Sequence, residues 1–261
     1  MDQQTIEQCG DDLFEALCTR STIAPLSDRF SDMTIEDAYQ ISLRMLSRRE
    51  SEGERIVGKK IGVTSKAVQN MLNVHQPDFG YLTDRMVVSN GGEIKIADSM
   101  IQPRAEGEIA FVLKRDLIGP GISNADVLRA TECIMPCFEI VDSRIENWQI
   151  KIQDTVADNA SCGVFVLGDT ALKPEAVDLV TVGMVVEKNG AVISTGAGAA
   201  ALGSPVNCVA WLANTLGEYG IPLKAGEVIL SGSLVPLEPV VAGDSLLVRV
   251  GKMGSASVRF S

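Results

Sequence analysis

Residues 104–113 read RAEGEIAFVL, and this alternating, largely apolar stretch predicts a β-strand. Successive side chains of a strand point to opposite faces, so Glu106 and Glu108 share one face with Ala110. The other face is apolar and is expected to lie against the core; it carries Gly107, Ile109, Phe111 and Leu113. The strand therefore presents two carboxylates on the side away from the core.

Two carboxylates on one face of a strand repel each other unless a positive group lies between them. Both flank Gly107, and a glycine inside a strand often marks the close approach of a ligand or of another backbone. A third carboxylate, Glu139, lies inside a second apolar strand over residues 134–142, IMPCFEIVD. A lone ionised carboxylate in a buried strand is costly and needs a partner.

Three interpretations of these carboxylates remain open at this point. They hold a hard divalent cation, form an exposed acidic strand edge, or make separate salt bridges. An all-oxygen site suits Mg²⁺ or Mn²⁺. Zinc is disfavoured because the six cysteines form no CxxC pair and His75 is the only histidine. We interpret the cysteines as reduced, buried thiols.

The pattern of elements predicts an α+β protein. Residues 1–55 have helical spacing, with Thr34 and Asp37 resembling a capping box. Residues 56–63 are strand-like and precede a short helix at about 65–72. Short strands and turns dominate the rest, including a hairpin at Asn189-Gly190. We expect a small helical N-terminal subdomain over 1–55 and a larger, mostly β domain over 56–261. Strands and helices do not alternate regularly, which disfavours Rossmann and barrel folds.

Composition excludes several classes of function. The 261 residues include 23 Lys and Arg against 34 Asp and Glu, a formal net charge of −11. This balance disfavours nucleic acids and anionic membranes as partners. Hydrophobic residues make up 46%, a globular value, but no apolar run approaches the roughly 20 residues of a membrane span. The acidic N-terminal stretch does not resemble a signal peptide, so we expect a cytoplasmic protein.

Further polar residues stand in settings that allow catalysis. Lys59 and Lys60 occupy an apolar strand, where one can face a pocket beside carboxylates, or both can be surface lysines with buried stems. The segment 74–80, VHQPDFG, contains Asp78, either a base or an ordinary turn residue, and His75, which we interpret as a loop histidine. Polar clusters also occur at 156–161, VADNAS, and at 231–233, SGS.

Taken together, these motifs resemble the fumarylacetoacetate hydrolase superfamily. The similarity is carried by RAEGEIAF at 104–111, by the glutamate in CFEIVDSR at 137–144, and by the closing segments SGS at 231–233 and GD at 243–244. Within it, the chain is most similar to the branch of 2-hydroxypenta-2,4-dienoate (2-oxopent-4-enoate) hydratases and 4-oxalocrotonate decarboxylases. Segments 58–82, 196–216 and 254–260 extend the resemblance over nearly the whole chain. VHQPDFG and SGSLVPLEPV favour the hydratases.

The resemblance implies a mixed β-sheet roll and assigns roles to particular residues. Glu106, Glu108 and Glu139 would bind Mg²⁺ or Mn²⁺. Lys60 and Asp78 would be the acid and base. The residues that would line the substrate pocket are Asn159, Ser161 and Ser233.

The implied activity is a hydro-lyase of aromatic meta-cleavage catabolism. It would add water to 2-hydroxypenta-2,4-dienoate, a small anionic substrate, and give 4-hydroxy-2-oxopentanoate. The alternatives are a 4-oxalocrotonate (2-oxo-3-hexenedioate) decarboxylase and a non-catalytic partner subunit of that decarboxylase. The resemblance also implies a homo-oligomer and a complex with the decarboxylase. Hydrolytic members of the superfamily activate water with a histidine–glutamate pair. His75 is the only histidine and lies in the loop that carries Asp78, so C–C bond hydrolysis is disfavoured.

Overall fold

The computed structural model describes residues 1–71 and 73–261. Its helices are α1 Gln3–Thr19, α2 Leu26–Arg29, α3 Ile35–Ser51, α4 Lys66–Met71, α5 Ile96–Ser99, α6 Asn124–Ala130, α7 Ile152–Ala157 and α8 Pro205–Gly217. Its strands are β1 Ile56–Gly62, β2 Asp78–Thr83, β3 Val87–Val88, β4 Gly92–Ile94, β5 Arg104–Leu113, β6 Thr131–Val141, β7 Cys162–Leu167, β8 Gly183–Lys188, β9 Ala191–Ala197, β10 Val228–Leu230, β11 Glu238–Pro239, β12 Ser245–Val250 and β13 Gly254–Phe260. The α4 helix matches the predicted short helix, and Leu72 at its expected end lies outside the described residues.

A mixed sheet brings distant parts of the chain side by side. Its strand order is β2-β1-β10-β5-β6-β7-β3, with β11 also pairing with β5. The β1–β10 and β3–β7 pairs are parallel, whereas β5 and β6 pair antiparallel. The strands that carry the candidate site residues, β1, β2, β5 and β6, therefore belong to one sheet.

A second sheet, with strand order β4-β13-β12-β8-β9, packs against the first. Its β8–β9 hairpin turns at Asn189 and Gly190, both of which have positive φ, as the sequence predicted. The predicted inward face of β5 is confirmed, because Ile109, Phe111 and Leu113 are buried in the core between the elements of the two sheets. The two carboxylate positions of β5 thus point away from this core.

The interpretation of Gly107 as a ligand-approach position is corrected by the packing of the sheets. A Cβ atom on Gly107 would lie 2.8 Å from Met184 Sδ and 3.2 Å from Val186 Cγ2. Both neighbours belong to β8 of the second sheet. The close neighbours of Gly107 are thus side chains of the facing sheet, and a larger residue here would require them to shift.

The N-terminal helices have a core of their own. It joins Ile6 and Leu13 of α1 and Ile41 and Met45 of α3 to Val156 of α7. The capping box predicted at the start of α3 is present, with the Thr34 side chain accepting from the Asp37 N–H and the Asp37 carboxylate accepting from the Thr34 N–H. These helices stand beside the end of the first sheet where β2 lies, because Tyr39 of α3 stacks on Phe79 of β2 with ring centroids 4.4 Å apart.

The predicted α+β fold is confirmed, with a small helical N-terminal part and mixed sheets. Within the described part of the chain, no helix has both the length and the apolar character needed to cross a lipid bilayer.

Candidate active site

Two adjacent strands bring the three predicted glutamates together. Glu106 of β5 is directly opposite Glu139 of β6, and Glu108, two residues along β5, projects from the same face. One carboxylate oxygen from each residue can be chosen so that all lie within 4.8 Å of one another. The alternation of the strands and their register thus create a cluster of acidic oxygens.

This cluster does not form an exposed strand edge, so that alternative is wrong. The β5 strand lies between β10 and β6 in the interior of the sheet. The side chains of Glu108 and Glu139 have no exposed surface, and Glu106 is partly exposed. Like charges opposite each other on neighbouring strands are destabilising, and burial strengthens their repulsion.

The carboxylates lack the donors that such burial demands. Among the described residues, the buried side-chain oxygens without a hydrogen bond are Asp78 Oδ1, Glu108 Oε1, both Glu139 Oε atoms and Ser231 Oγ. Of these, Glu139 Oε1 does have a charged neighbour, Lys60 Nζ at 3.1 Å. Unpartnered buried polar atoms are rare and call for an explanation. A divalent cation fits the glutamate oxygens because it supplies positive charge and accepts oxygen ligands.

The burial and crowding of these carboxylates also raise the pKa values of two of them. Burial, together with repulsion from Glu139, raises the pKa of Glu106 to about 7. Burial and the neighbouring carboxylates raise the pKa of Glu108 well above its ordinary value, although Oε2 accepts a 2.8 Å hydrogen bond from the Gly232 N–H. Gly232 has φ +90°, and a Cβ there would lie 2.4 Å from Thr64, so glycine is required at this position.

Lys60 is the cation nearest to these carboxylates. Its Nζ lies 3.1 Å from Glu139 Oε1, and its side chain is buried. Burial acts to lower the pKa of Lys60, but attraction by Glu139, Asp78 and Glu106 raises it overall, so the ammonium form is stabilised. One charge offsets only part of the repulsion among the carboxylates.

Of the two alternatives for the lysines, the one in which both are surface residues is wrong, because both are buried. Lys59 points to the opposite face of β1 and forms a buried ion pair with Glu227, at 2.7 Å from Oε2. Its ammonium also lies 5.7 Å from the centre of the Tyr81 ring. Lys59 is therefore held in the structure by its own partners, whereas Lys60 faces the glutamates.

Asp78 lies next to Lys60 through the pairing of β1 and β2. It is opposite Gly62, and a Cβ on Gly62 would lie 2.2 Å from Asp78 Oδ1 and 3.5 Å from Lys60 Nζ. The absence of a side chain at residue 62 leaves room for the carboxylate. Burial, followed by repulsion from Glu139, raises the pKa of Asp78 despite the opposing effect of Lys60. Asp78 is thus a buried acidic group beside a buried ammonium.

A buried ion pair fixes the turn that precedes β7. The guanidinium of Arg144 donates to Asp158 Oδ1 at 2.5 Å and to the carbonyl oxygens of Asp158 and Cys162 at 2.6 and 2.8 Å. The Arg144 backbone N–H donates to Asp158 Oδ2 at 2.9 Å. Both side chains are fully buried. Between Asp158 and Cys162, the turn 159–161 has three successive positive φ angles, 53°, 51° and 54°. This conformation costs free energy and persists when surrounding contacts hold it.

The three predicted pocket residues are engaged within the protein. The Asn159 amide accepts from the Tyr81 N–H at 2.8 Å and donates to the Tyr81 carbonyl at 2.9 Å. The Ser161 hydroxyl lies 3.2 Å from Thr155 Oγ1. The Ser233 hydroxyl donates to the Val235 carbonyl at 2.7 Å. Asn159 therefore lies against β2 and Ser161 against α7, while the Ser233 side chain is bonded within its own loop.

A cavity of about 350 Å³ opens beside Asp78. The described residues that line it are Ile35, Tyr39, Asn73, Val74, His75, Gln76, Pro77, Asp78, Ile152 and Val156. Asn73, His75 and Gln76 are exposed, whereas Pro77, Asp78, Ile152 and Val156 are buried. The cavity therefore has a polar mouth and a largely apolar inner wall, with Asp78 among its buried members.

Sequence reasoning did not single out Arg144, Asp158 or the Gly232 N–H. Arg144 and Asp158 carry opposite charges, but that they are buried together is visible only in the structure. Their separation along the chain has no helical or strand periodicity that would pair them. The Gly232 donor is a backbone group, so its importance depends on a conformation that residue identity alone does not specify.

Comparison with known protein families identifies the family. The family model described as fumarylacetoacetate (FAA) hydrolase C-terminal matches residues 55–261. A 2-hydroxypent-2,4-dienoate hydratase from Pseudomonas putida is 70% identical over 221 residues, which cover 85% of this chain and 100% of that protein. The chain therefore belongs to the fumarylacetoacetate hydrolase family.

Two further relatives match the full length of the chain. A 2-hydroxyhexa-2,4-dienoate hydratase from Comamonas testosteroni is 59% identical, over 100% of this chain and 99% of that protein. A solved structure of the 4-oxalocrotonate decarboxylase from Pseudomonas putida G7, complexed with magnesium and adipate, is similar with a TM-score of 0.97 and 38% identity, covering 100% of this chain and 99% of that one.

We expect the substitution Asp158→Asn to destabilise the protein by about 3–5 kcal/mol, because it leaves the Arg144 guanidinium buried without its counter-charge. Urea unfolding followed by circular dichroism measures this. Glu132→Gln is the control, since Glu132 pairs with Lys173 on the surface and should leave the unfolding midpoint unchanged. Equal midpoints for Asp158→Asn and the parent protein would contradict the view that Arg144 depends on this counter-charge.

Proposed function

We propose that this protein is a hydro-lyase that depends on a divalent metal ion and adds water to 2-hydroxypenta-2,4-dienoate, giving 4-hydroxy-2-oxopentanoate. The observation that carries the proposal is the cluster of three carboxylates, in which Glu108 Oε1 and Glu139 Oε2 are buried without a partner and Lys60 offsets part of the charge. Hydratases of this substrate class are 70% and 59% identical to the chain, which supports the choice of reaction. Aromatic meta-cleavage catabolism is the corresponding process.

Glu106, Glu108 and Glu139 are the residues that would hold the ion. Carboxylate oxygens suit Mg²⁺ and Mn²⁺, and we propose that either of the two serves. The magnesium in the similar decarboxylase structure supports a divalent ion. When bound, such an ion supplies Lewis-acid stabilisation of negative charge on the 2-oxygen of the substrate.

Lys60 and Asp78 carry out the proton transfers in this proposal. Conversion of the dienol to the conjugated 2-oxo-3-enoate removes a proton from the 2-hydroxyl group and adds one at C5. Water then attacks C4 while Asp78 takes its proton, and C3 is protonated to complete the addition. The two side chains face the space next to the glutamates from adjacent strands, so either can reach the substrate from the same side.

Asn159, Ser161 and Ser233 complete the proposed pocket. Asn159 follows Asp158 in the fixed turn, and Ser161 precedes β7, the neighbour of the strand that carries Glu139. Ser233 follows Gly232, whose N–H binds Glu108. Asn159 and Ser161 are thus chain neighbours of residues bonded to Arg144, and Ser233 is the chain neighbour of the residue bonded to Glu108.

The proposal also covers the organisation of the protein. Residues 1–55 form a helical subdomain that covers the catalytic part, residues 56–261, beside β2. Homo-oligomers are supported by β9, an edge strand with Val192 and Ile193 exposed. A complex with 4-oxalocrotonate decarboxylase belongs to the proposal because that enzyme is a structural relative. The free cysteine thiols support a cytoplasmic location.

Decarboxylation of 4-oxalocrotonate is the second candidate function, favoured by the fold similarity to that decarboxylase. Both substrates should be supplied to the purified protein with Mg²⁺ while their ultraviolet absorbance and the release of carbon dioxide are followed. We expect loss of the dienoate and formation of 4-hydroxy-2-oxopentanoate. Carbon dioxide release from 4-oxalocrotonate without hydration of the dienoate would support the decarboxylase, and no turnover of either would support a non-catalytic partner subunit.

Removal of one acidic charge tests the ion site. The parent protein should unfold at a higher temperature with Mg²⁺ or Mn²⁺ present. Its free energy of unfolding should rise by about 2.7 kcal/mol when the ion is at 100 times its dissociation constant. Glu108→Gln should lose this ion-dependent gain and, without ion, be at least as stable as the parent because repulsion is reduced. Glu132→Gln, a surface change, should retain the gain. An unchanged gain in Glu108→Gln would contradict the assignment.

Replacement of the proposed base separates chemistry from ion binding. Asp78→Asn should lower kcat by about 10²–10⁴-fold, the usual contribution of a positioned acid or base, while the ion-dependent gain in unfolding temperature persists. Steady-state hydration of the dienoate measures the change. Asp84→Asn, in the turn after β2, is the matched control and should keep its activity. Normal turnover by Asp78→Asn would mean that another group is the base.

A further inference from the structure

We propose that Arg104 binds the carboxylate group of the substrate, so that the site takes free 2-oxo and 2-hydroxy acids in preference to their uncharged amides. Arg104 is the first residue of β5, two positions before Glu106. The inference rests on the proposed function, because it takes the acid end of the dienoate to lie at the glutamates.

Arg104 lies on the same face of the sheet as the acidic cluster. Side chains alternate along β5, so residues 104, 106 and 108 project from one face, while Ala105 is buried in the core on the other. Arg104 and Glu106 are both half-buried, whereas Glu108 has no exposed surface. The accessible part of the cluster is therefore the part nearest to Arg104.

The guanidinium of Arg104 has no acidic partner among the described residues. Most other arginines do form ion pairs: Arg29, Arg44, Arg48, Arg49, Arg55, Arg85, Arg129, Arg144 and Arg249. The others are exposed to solvent: Arg20, Arg115 and Arg259. Glu238 of β11 is opposite Ala105, so it projects from the other face, where it contacts Lys188 at 3.2 Å. Within the described chain, Arg104 is thus the arginine that is partly withdrawn from solvent without a counter-charge.

An aromatic platform holds this guanidinium. Its central carbon lies 4.6 Å from the centre of the Trp148 ring, and Trp148 Nε1 donates to the Gln102 carbonyl at 3.0 Å. The Gln102 N–H in turn donates to Asp142 Oδ1 at 2.7 Å. Trp148 has φ 57°, which is unusual for a bulky residue and must be held by surrounding contacts. Stacking uses the face of the guanidinium, so the N–H donors at its edge remain for a planar anion.

Strand register determines which end of the substrate meets Arg104. Through β10, Lys60 of β1 lies level with Ala110 of β5. The glutamates of β5 follow along the strand before Arg104 is reached, so the acidic cluster lies between the ammonium and the guanidinium. In the proposed reaction Lys60 serves C3 to C5, where bonds to hydrogen and oxygen form. The C1 carboxylate then points the other way, toward Arg104.

An anionic substrate needs this second positive charge. The three carboxylates repel its approach, and the Lys60 ammonium is already engaged at 3.1 Å from Glu139 Oε1. A guanidinium can make two parallel hydrogen bonds to a carboxylate, which fix the plane of the group as well as its position. An amide in the same place has one acceptor oxygen and no charge. Arg104 therefore selects for the acid.

Arg104→Gln and Arg104→Lys test the assignment. The first removes the charge, and the second keeps it but loses the planar fork that stacks on Trp148. Arg115→Gln is the matched control, because it removes the same charge from an exposed arginine just after β5. Arg104→Lys also serves as the second variant if Arg104→Gln folds poorly.

The first measurement needs no turnover. Pyruvate and its amide, pyruvamide, share the 2-oxo group, and their binding to the Mg²⁺-loaded protein is compared by isothermal titration calorimetry. We expect Arg104→Gln to weaken pyruvate roughly 10- to 150-fold, the usual range for a hydrogen bond to a charged group, and pyruvamide by less than about threefold. Arg104→Lys should fall between Arg104→Gln and the parent, and Arg115→Gln should match the parent.

The second measurement is steady-state turnover of 2-hydroxypenta-2,4-dienoate and of 4-oxalocrotonate. Arg104→Gln should raise KM for the pentadienoate at least about tenfold and lower kcat much less, because the contact is made in both the bound substrate and the transition state. Arg115→Gln should keep the parent values of both constants.

The outcomes separate this inference from the proposed function. Pyruvate binding that is unchanged in Arg104→Gln, or that weakens equally with pyruvamide, would overturn this inference alone. An effect confined to 4-oxalocrotonate would place Arg104 at the far end of the substrate and would also overturn it. Selective loss of pyruvate binding in a protein that hydrates no dienoate would overturn the proposed reaction but support Arg104 as the acid-binding residue. A parent protein that binds neither pyruvate nor the dienoate would overturn both.

Discussion

Repulsion between carboxylates in register is the constraint on which the site depends. Glu106 and Glu139 are cross-strand partners, and Glu108 follows on the same face, so the hydrogen bonds that hold β5 to β6 also force like charges together. The strands cannot slip to relieve this, because a shift of one residue would turn the apolar face of β5 away from the core. The stability of the two-sheet core therefore holds the acidic cluster in place, with Lys60 offsetting only part of its charge.

Backbone and buried ionic contacts around the cluster support this arrangement. The Gly232 N–H donates to Glu108. Gly232 has a positive φ angle, at which a residue with a side chain would be strained. Arg144 and Asp158 hold the turn before β7, although each is a charge taken out of water. Such pairs are weak sources of net stability but are costly to break singly, so they specify one conformation of the turn more than they stabilise the fold.

Much of the fold and the acidic centre could be predicted because both follow from local periodicity. Alternation along β5 separated Glu106 and Glu108 from the apolar core face, and the capping residues located α3. What could not be predicted depends on contacts between distant residues. The Lys59–Glu227 pair spans 168 residues, and the packing of Met184 against Gly107 depends on how the two sheets face each other. Neither leaves a periodic signal in the sequence.

The amide of Asn159 has a consequence for the surface of the first sheet. The β2 strand lies at the end of the strand order, where a backbone would normally display free N–H and carbonyl groups. Asn159 occupies both groups of Tyr81 as a neighbouring strand would, and its close approach needs a glycine at position 80, where a Cβ would lie 2.4 Å from its carbonyl oxygen. Asn159 thus satisfies the outward backbone groups of one residue in an end strand whose six residues are all buried, and at that residue it takes the place of a further strand.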